Sequence, residues 1–192
     1  MDTTVVRTRR WTRLEYGRLI DCGVLREHDP IELIDGQLVV REPQHTPHAA
    51  ATRLVARGLE VVFRGDWDVR AGLPVALDEA SEPEPDVCVV RGGPRDYLDD
   101  HPTRPALVVE VADSSLAFDR RFKGSLYARA GLAEYWIVNL PDRCVEVYRR
   151  PVPAAAAEYG WSYRDTSVLS RGDIVAPLAA PEARISIADL LP

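Results

Sequence analysis

The chain has 192 residues, 46% of them hydrophobic, and a formal net charge of −6. This composition excludes a disordered chain and predicts a single domain over residues 1–192, with a core at about 10–150 and an extension at 151–192. No apolar run approaches the roughly 20 residues of a membrane span, so we expect no contact with a membrane. The arginine-rich N-terminus lacks the apolar segment of a secretory signal, and we therefore expect a cytoplasmic protein.

The three cysteines do not indicate a metal site or a disulfide framework. Cys22, Cys88 and Cys144 are too widely spaced for a CxxC pair, and their number is odd. We expect all three to be reduced core residues.

The first predicted elements are a short helix and a hairpin. Thr12 and Glu15 have the spacing of a capping box, which predicts a helix over residues 12–22. Its inward-facing residues would be Leu14, Leu19 and Cys22. Two extended runs at residues 31–40 are joined by Asp35-Gly36, the dipeptide typical of a two-residue hairpin turn.

The remaining elements alternate between helices and short strands, which is typical of an α/β fold. A long helix should begin at Thr46-Pro47 and end before Gly65, and a second should cover residues 120–130. Pro151 to Ala157 is predicted to form a loop. Strands are predicted at residues 67–71, 75–77, 87–90, 107–111, 135–138 and 145–148, those at 87–90 and 107–111 being buried at the centre of a sheet.

Glu110 is the residue that first indicates chemistry, because it lies within the apolar run Leu-Val-Val-Glu-Val-Ala. A buried carboxylate needs a compensating partner, which could be an arginine or a divalent cation shared with another acid. Asp86 stands at the mouth of the preceding strand, so adjacent strands would bring the two carboxylates together. This favours a magnesium site.

Lys123 is the only lysine among 24 basic residues. It lies on the first turn of the helix that follows Glu110. An ammonium group there is suited to orienting a water or neutralising charge on a phosphoryl oxygen.

Four segments carry a resemblance to a known family. They resemble the endonucleases of the Uma-two (Uma2) family, a bacterial branch of the PD-(D/E)XK nuclease superfamily. The segments are residues 31–39, 84–90, 105–111 and 119–138.

The resemblance implies a restriction-endonuclease-like core: a mixed central β-sheet flanked by helices, with an N-terminal hairpin and a C-terminal β extension. It also implies Mg²⁺, with Mn²⁺ as a substitute, held by Asp86 and Glu110, and hydrolysis of phosphodiester bonds in DNA with the help of Lys123. Glu32 would be a further catalytic or metal-site carboxylate, or else a solvated strand charge. A homodimer is common for such folds.

The sequence departs from the parent superfamily near the metal site. The superfamily's lysine would fall at Ala112, whereas the family takes it from the following helix, where Lys123 lies. Asp113 replaces a serine and could alter the metal site or cap a turn. Tyr127, one turn beyond Lys123, is expected to be a core residue that packs near it.

Several other polar residues have alternative interpretations. Asp119 and Arg120 could contact phosphate, orient Lys123 or form a salt bridge at a helix start. His45 and His48 lack a third ligand at a matching spacing for a metal site. The arginines at 53, 57 and 64 could follow a phosphate backbone or form a solvated face, with Glu60 paired to Arg64.

Charge argues against nucleic-acid binding, since residues 78–100 carry eight acids against two arginines. The segment at 119–129, with four basic residues and one acid, is the best candidate for a local DNA-binding patch. The alternative to an endonuclease is a non-catalytic nucleic-acid-binding or regulatory module with the same fold.

Overall fold

A six-stranded mixed sheet forms the middle layer of the fold, with helices on both faces. The structure is a computed structural model that describes residues 8–26, 28–41 and 44–192. The strand order is β3-β4-β5-β6-β7-β8. Its members are β3 (Trp67–Ala71), β4 (Val87–Arg91), β5 (Leu107–Ala112), β6 (Glu134–Asn139), β7 (Cys144–Pro153) and β8 (Trp161–Leu169). The α/β fold class predicted from the sequence, with a mixed central sheet flanked by helices, is thus confirmed.

Neighbouring strands of this sheet are antiparallel except for β5 and β6, which are parallel. A parallel pair needs a crossover connection, and the segment between these two strands supplies it as a helix. This segment, which we call the 116–129 helix, consists of α3 (Leu116–Phe118), a π-helical turn (Asp119–Lys123) and α4 (Gly124–Arg129).

Alternation along the strands assigns the two faces of the sheet. Val109 and Val111 of β5 pack in a core with the long helix α2 (Thr46–Val62), whereas Val108 and Ala112 pack in a second core with the 116–129 helix. Glu110 shares the alternation of Val108 and Ala112, so it faces the 116–129 helix.

The long helix α2 covers the other face of the sheet with side chains that lie four positions apart along the helix. Ala51, Val55 and Leu59 are fully buried and define its inner stripe. Each Val or Leu buried in this way contributes about 1.5–3 kcal/mol relative to an exposed side chain. The first turn of this helix therefore has a fixed position at the edge of the sheet.

The N-terminal part consists of α1 (Arg13–Asp21) and a hairpin of β1 (Ile31–Ile34) and β2 (Gln37–Val40). Thr12 and Glu15 form the predicted capping box. Asp35 and Gly36 both have positive φ angles, of 46° and 76°, as a type I′ turn requires.

The hairpin is fixed to the rest of the protein by backbone and side-chain bonds. The amide of Glu82 donates to the carbonyl of Leu33 at 2.7 Å, and that of Gly36 donates to Ala80 at 2.7 Å. Asp35 accepts from Arg129 at 2.6 Å, at the end of the 116–129 helix. The hairpin and this helix are thereby held side by side.

The C-terminal residues complete the sheet and cover one of its faces. β8 pairs with β7 in the central sheet, so residues 161–169 are part of the main architecture and not an appendage. The chain ends with β9 (Ile174–Val175), β10 (Ile185–Ser186) and α5 (Ile187–Leu190), which packs against α2.

Four local predictions were wrong. Leu14 is 66% exposed and Cys22 is exposed, because α1 buries Tyr16 instead. Residues 75–77 are buried but form no strand, the second helix begins at 116 rather than 120, and β7 continues through Pro153 into the predicted loop.

We predict that Gly36→Ala destabilises the protein by about 1–2 kcal/mol. The backbone of residue 36 has a left-handed conformation that alanine rarely adopts, and the added Cβ would lie 2.8 Å from Cβ of Arg10. Gly17→Ala is the matched control: a Cβ at Gly17 meets nothing within 4 Å, and alanine favours the helix by about 0.5–1 kcal/mol. Urea unfolding measures both changes. Equal effects of the two substitutions would contradict the prediction.

Candidate active site

A cavity of about 720 Å³ opens where β4 begins and β5 ends. The antiparallel register pairs Val87 with Val109, which places Asp86 opposite Glu110 across neighbouring strands. Both carboxylates line the cavity, together with Lys123. The structure therefore brings together the three residues that the sequence singled out.

Asp86 lies at the start of β4 and is held by three donors. Its Oδ2 accepts from the backbone amide of Val111 at 2.7 Å and lies 3.3 Å from Nε2 of His48. Its Oδ1 accepts from the side-chain amide of Gln44 at 3.3 Å. The carboxylate is thus fixed between β5 and the start of α2.

Glu110 is buried at the centre of the site. Its Oε1 accepts from Nζ of Lys123 at 3.0 Å and from the hydroxyl of Tyr127 at 2.6 Å. Lys123 and Tyr127 are one turn apart on the 116–129 helix and face the same strand residue, as their spacing requires. The compensating partner of Glu110 in this structure is the lysine, not an arginine.

Glu32 approaches Lys123 from the hairpin. Its Oε1 lies 3.2 Å from Nζ, and its Oε2 accepts from the amide of Glu84 at 2.9 Å. The side chain is only 2% exposed, so the alternative of a solvated strand charge does not hold. Lys123 therefore bridges two buried carboxylates that come from different parts of the sequence.

Burial and mutual repulsion strongly perturb the site's titrating groups. Burial raises the pKa of Glu110 well above its usual value despite the opposing effect of Lys123, and Asp86 raises it further. Burial also raises the pKa of Asp119 to about 6. Burial alone would lower the pKa of Lys123, but Glu110 and Glu32 outweigh it and hold that pKa well above its usual value. The ammonium is stabilised in its charged form.

The π-helical turn sets which residues of the 116–129 helix face the cavity. The amide of Gly124 donates to the carbonyl of Asp119, five residues earlier, and both Asp119 and Lys123 are buried. Such π-turns are frequent at functional sites because they shift the register of a helix face. Ala112 is fully buried in the second core, and the ammonium that lines the cavity comes from Lys123 on the helix.

The other polar candidates separate into cavity residues and structural ones. Asp119 lines the cavity and accepts from the hydroxyl of Ser115 at 2.6 Å. Arg120 instead forms a salt bridge with Glu146 at 2.6 Å. Asp113 is exposed at the cavity.

His45 and His48 also line the cavity, but only His48 has a recorded contact with a predicted ligand, Asp86. Within residues 8–26, 28–41 and 44–192, no group of three or more His, Cys, Asp and Glu side chains is arranged to hold a metal ion. The carboxylates of Asp86 and Glu110 are oxygen donors of the kind that Mg²⁺ takes, one or two at a time, with water and substrate oxygens. The donor set fits that ion.

The basic residues of the predicted DNA-binding patch are all engaged in ion pairs. Besides Lys123 and Arg120, Arg121 pairs with Glu158 at 2.8 Å, and Arg129 pairs with Asp35 and Asp78. Glu60 and Arg64, both described and exposed, form no ion pair within 4 Å, and Nε of Arg64 donates to the carbonyl of Val61 at 3.0 Å.

Sequence reasoning missed two charged cavity residues, Arg41 and Glu84, which form an ion pair at 2.8 Å. Glu84 could have been found, because it lies two residues before Asp86 and residues at that spacing share a face of an extended segment. Arg41 carries no such signal, since the chain has 24 basic residues and nearly all of them are arginine.

Comparisons with known proteins agree with the fold and with the family resemblance. Residues 15–188 match the family model described as "Uma2: Putative restriction endonuclease". A crystal structure of a "putative nuclease belonging to DUF820" from Anabaena variabilis superposes with a TM-score of 0.66 at 17% sequence identity, over 90% of this chain and 96% of that chain. The search of curated proteins found no match. The described residues include no helix with the length and hydropathy of a membrane span.

We predict that Lys123→Met lowers the free energy of unfolding by about 3–5 kcal/mol, because it leaves two buried carboxylates without their cation. Glu110→Gln in the same chain should restore part of that loss. A double-mutant cycle in urea, at pH 8 with EDTA, measures the coupling. Additive losses would show that the two side chains do not interact.

We also predict that Asp119→Asn stabilises the protein more at pH 8 than at pH 4. The folded state holds this proton up to about pH 6, against 3.8 for an ordinary aspartate, so the wild type loses stability as the pH rises through this range. The gain from asparagine should grow by roughly 2 kcal/mol between the two pH values. Urea unfolding in EDTA measures it, with Asp113→Asn as the exposed control. A pH-independent gain would contradict the prediction.

Proposed function

This chain belongs to the Uma2 family, and we propose that it is a magnesium-dependent endonuclease that hydrolyses phosphodiester bonds in DNA. The proposed catalytic residues are Asp86, Glu110, Lys123 and Glu32, with Asp86 and Glu110 as the metal ligands. Mn²⁺ should substitute for Mg²⁺, because both ions accept carboxylate and water oxygens.

The observation that carries the proposal is the convergence of Asp86, Glu110 and Lys123 on one cavity from three separate elements. Two carboxylates and a cation at the edge of a sheet are suited to phosphodiester hydrolysis, in which negative charge develops on the phosphoryl oxygens. A purely structural site would have no need of a cavity of about 720 Å³ above a buried ion pair.

The charge balance of the cavity supports a bound cation. Among the described lining residues, carboxylates outnumber permanently charged cations by six to two. Burial raises the pKa values of Glu110 and Asp119, and repulsion from the neighbouring carboxylates raises both further. The carboxylates are Glu32, Glu84, Asp86, Glu110, Asp113 and Asp119, and the cations are Arg41 and Lys123.

A magnesium ion held by Asp86 and Glu110 would supply an activated water and polarise the scissile phosphate. The chain's own residues act around it. Tyr127 donates to Oε1 of Glu110 and fixes that carboxylate's orientation. Val111 and Gln44 fix Asp86 in the same way. Lys123, charged throughout the neutral range, would hold the attacking water or neutralise charge on the phosphoryl group.

The finer features of the proposal concern the substrate and the assembly. Family membership favours nucleic acid as the substrate, and we propose DNA. We also propose a cytoplasmic protein that can form a homodimer. The alternative function, a non-catalytic nucleic-acid-binding or regulatory module, would bind DNA in EDTA as well as in Mg²⁺ and would cut none.

We predict that the purified protein converts supercoiled plasmid to nicked and linear forms in MgCl₂ or MnCl₂ and not in EDTA. Asp86→Asn and Glu110→Gln should each reduce the cleavage rate by at least about 100-fold, because each removes a charged metal ligand. The rates are read from agarose gels over time.

Glu60→Gln, an exposed change of the same kind on α2, is the control that should cleave at the wild-type rate. Circular dichroism melting confirms that each variant is folded. Cleavage that persists in EDTA, or that Asp86→Asn and Glu110→Gln leave unchanged, would refute the proposed site. Binding without cleavage would favour the non-catalytic alternative.

A further inference from the structure

A polyanionic substrate needs a cation within this cavity that can reach its phosphates. Lys123 is committed to the reaction centre, because its ammonium lies 3.0 Å from Glu110 and 3.2 Å from Glu32 and its side chain is only 7% exposed, so a phosphate away from the scissile bond needs another cation. The other permanent cation among the described lining residues is Arg41. Its side chain is 28% exposed, so it is more accessible to a ligand than the lysine is.

Arg41 lies directly after the last residue of β2 and is fixed at both ends. Its backbone amide donates to the carbonyl of Pro30 at 2.7 Å, which closes the open end of the hairpin. Its NH2 group lies 2.8 Å from Oε2 of Glu84. The guanidinium is thereby held beside the segment that leads into Asp86.

The hydrogen bonding of this guanidinium is incomplete. Its Nε is buried and meets no acceptor among the described residues. A buried donor without an acceptor costs about 1–3 kcal/mol. The contact with Glu84 alone therefore leaves the hydrogen bonding of Arg41 incomplete. An acceptor in the cavity that draws the guanidinium toward it would lower the cost of the unpaired Nε–H.

The chemistry of the group that Arg41 fits is that of a phosphodiester. A guanidinium presents paired N–H donors that match two oxygens of one phosphate. In a cavity dominated by carboxylates, it is the group best able to attract an anion.

We infer that Arg41 binds a phosphate of the DNA backbone inside the cavity, and that Glu84 holds its guanidinium in place before the substrate arrives. This inference rests on the proposed function and adds the residue that positions the substrate. Arg41 acts on binding rather than on the bond-breaking step, so its loss should raise KM more than it lowers kcat.

The competing explanation is that Arg41 and Glu84 form a purely structural pair, in which Arg41 offsets the cost of burying Glu84. The two explanations differ for Glu84→Gln. A structural pair predicts that removing either partner has the same effect on DNA binding. A phosphate contact predicts that Arg41→Met weakens binding, while Glu84→Gln leaves it unchanged or strengthens it by removing a competing carboxylate.

The test measures binding of a fluorescein-labelled DNA duplex by fluorescence anisotropy, in EDTA and in CaCl₂, over a range of NaCl concentrations. Arg41→Met should raise Kd roughly tenfold, the usual effect of losing a charge-assisted contact. The slope of log Kd against log salt should fall by about one, because one fewer counterion is released. A structural role would not change that slope.

Arg164→Met, at an exposed arginine of β8, is the matched control and should keep the wild-type Kd and slope. Thermal melting establishes that all variants are folded. Wild-type binding with an unchanged slope for Arg41→Met would overturn this inference and leave the endonuclease intact. Equal losses in Arg41→Met and Glu84→Gln would also overturn it. Absence of DNA binding and cleavage by the wild type would overturn both proposals.

Discussion

The ion pair between Glu110 and Lys123 is the interaction on which the candidate site depends. A carboxylate on a central strand is costly to bury, and the lysine offsets that cost from the helix that crosses over to the next strand. The same ammonium also contacts Glu32, so the hairpin, the sheet and the helix each contribute one side chain to this charged cluster. Any change in the position of the 116–129 helix relative to β5 would therefore alter stability and the site together.

Two features of backbone geometry place the charged groups within reach of one another. The antiparallel register of β4 and β5 sets Asp86 opposite Glu110. The π-helical turn sets Asp119 and Lys123 on the buried side of the helix, and Lys123 lies one turn before Tyr127. Both features belong to rigid elements packed on fixed cores, which is what a site needs if its groups are to be held in position before the substrate binds.

The electrostatics of the cavity would reconcile an acidic chain with the polyanionic substrate that we propose. The net charge of −6 comes from 30 acids against 24 basic residues, and the basic residues of the 116–129 helix are paired with acids. Attraction for a phosphate would then be local, from a cation bound by carboxylates and from Arg41 at the end of the hairpin. Weak long-range attraction with strong local contacts implies a modest dependence of the association rate on salt.

The sequence by itself determined the fold class, the capping box and the hairpin turn, and it indicated three charged residues that meet in the candidate site. It could do so because buried strands, turn dipeptides and a carboxylate within an apolar run leave local signals in the residue order. Only the tertiary structure decided that Lys123, and not an arginine, compensates Glu110, that Glu32 is buried against it, and that Arg41 and Glu84 line the same cavity. These contacts join residues 13 to 91 positions apart, and strand register and helix packing bring such residues together where no local pattern records it.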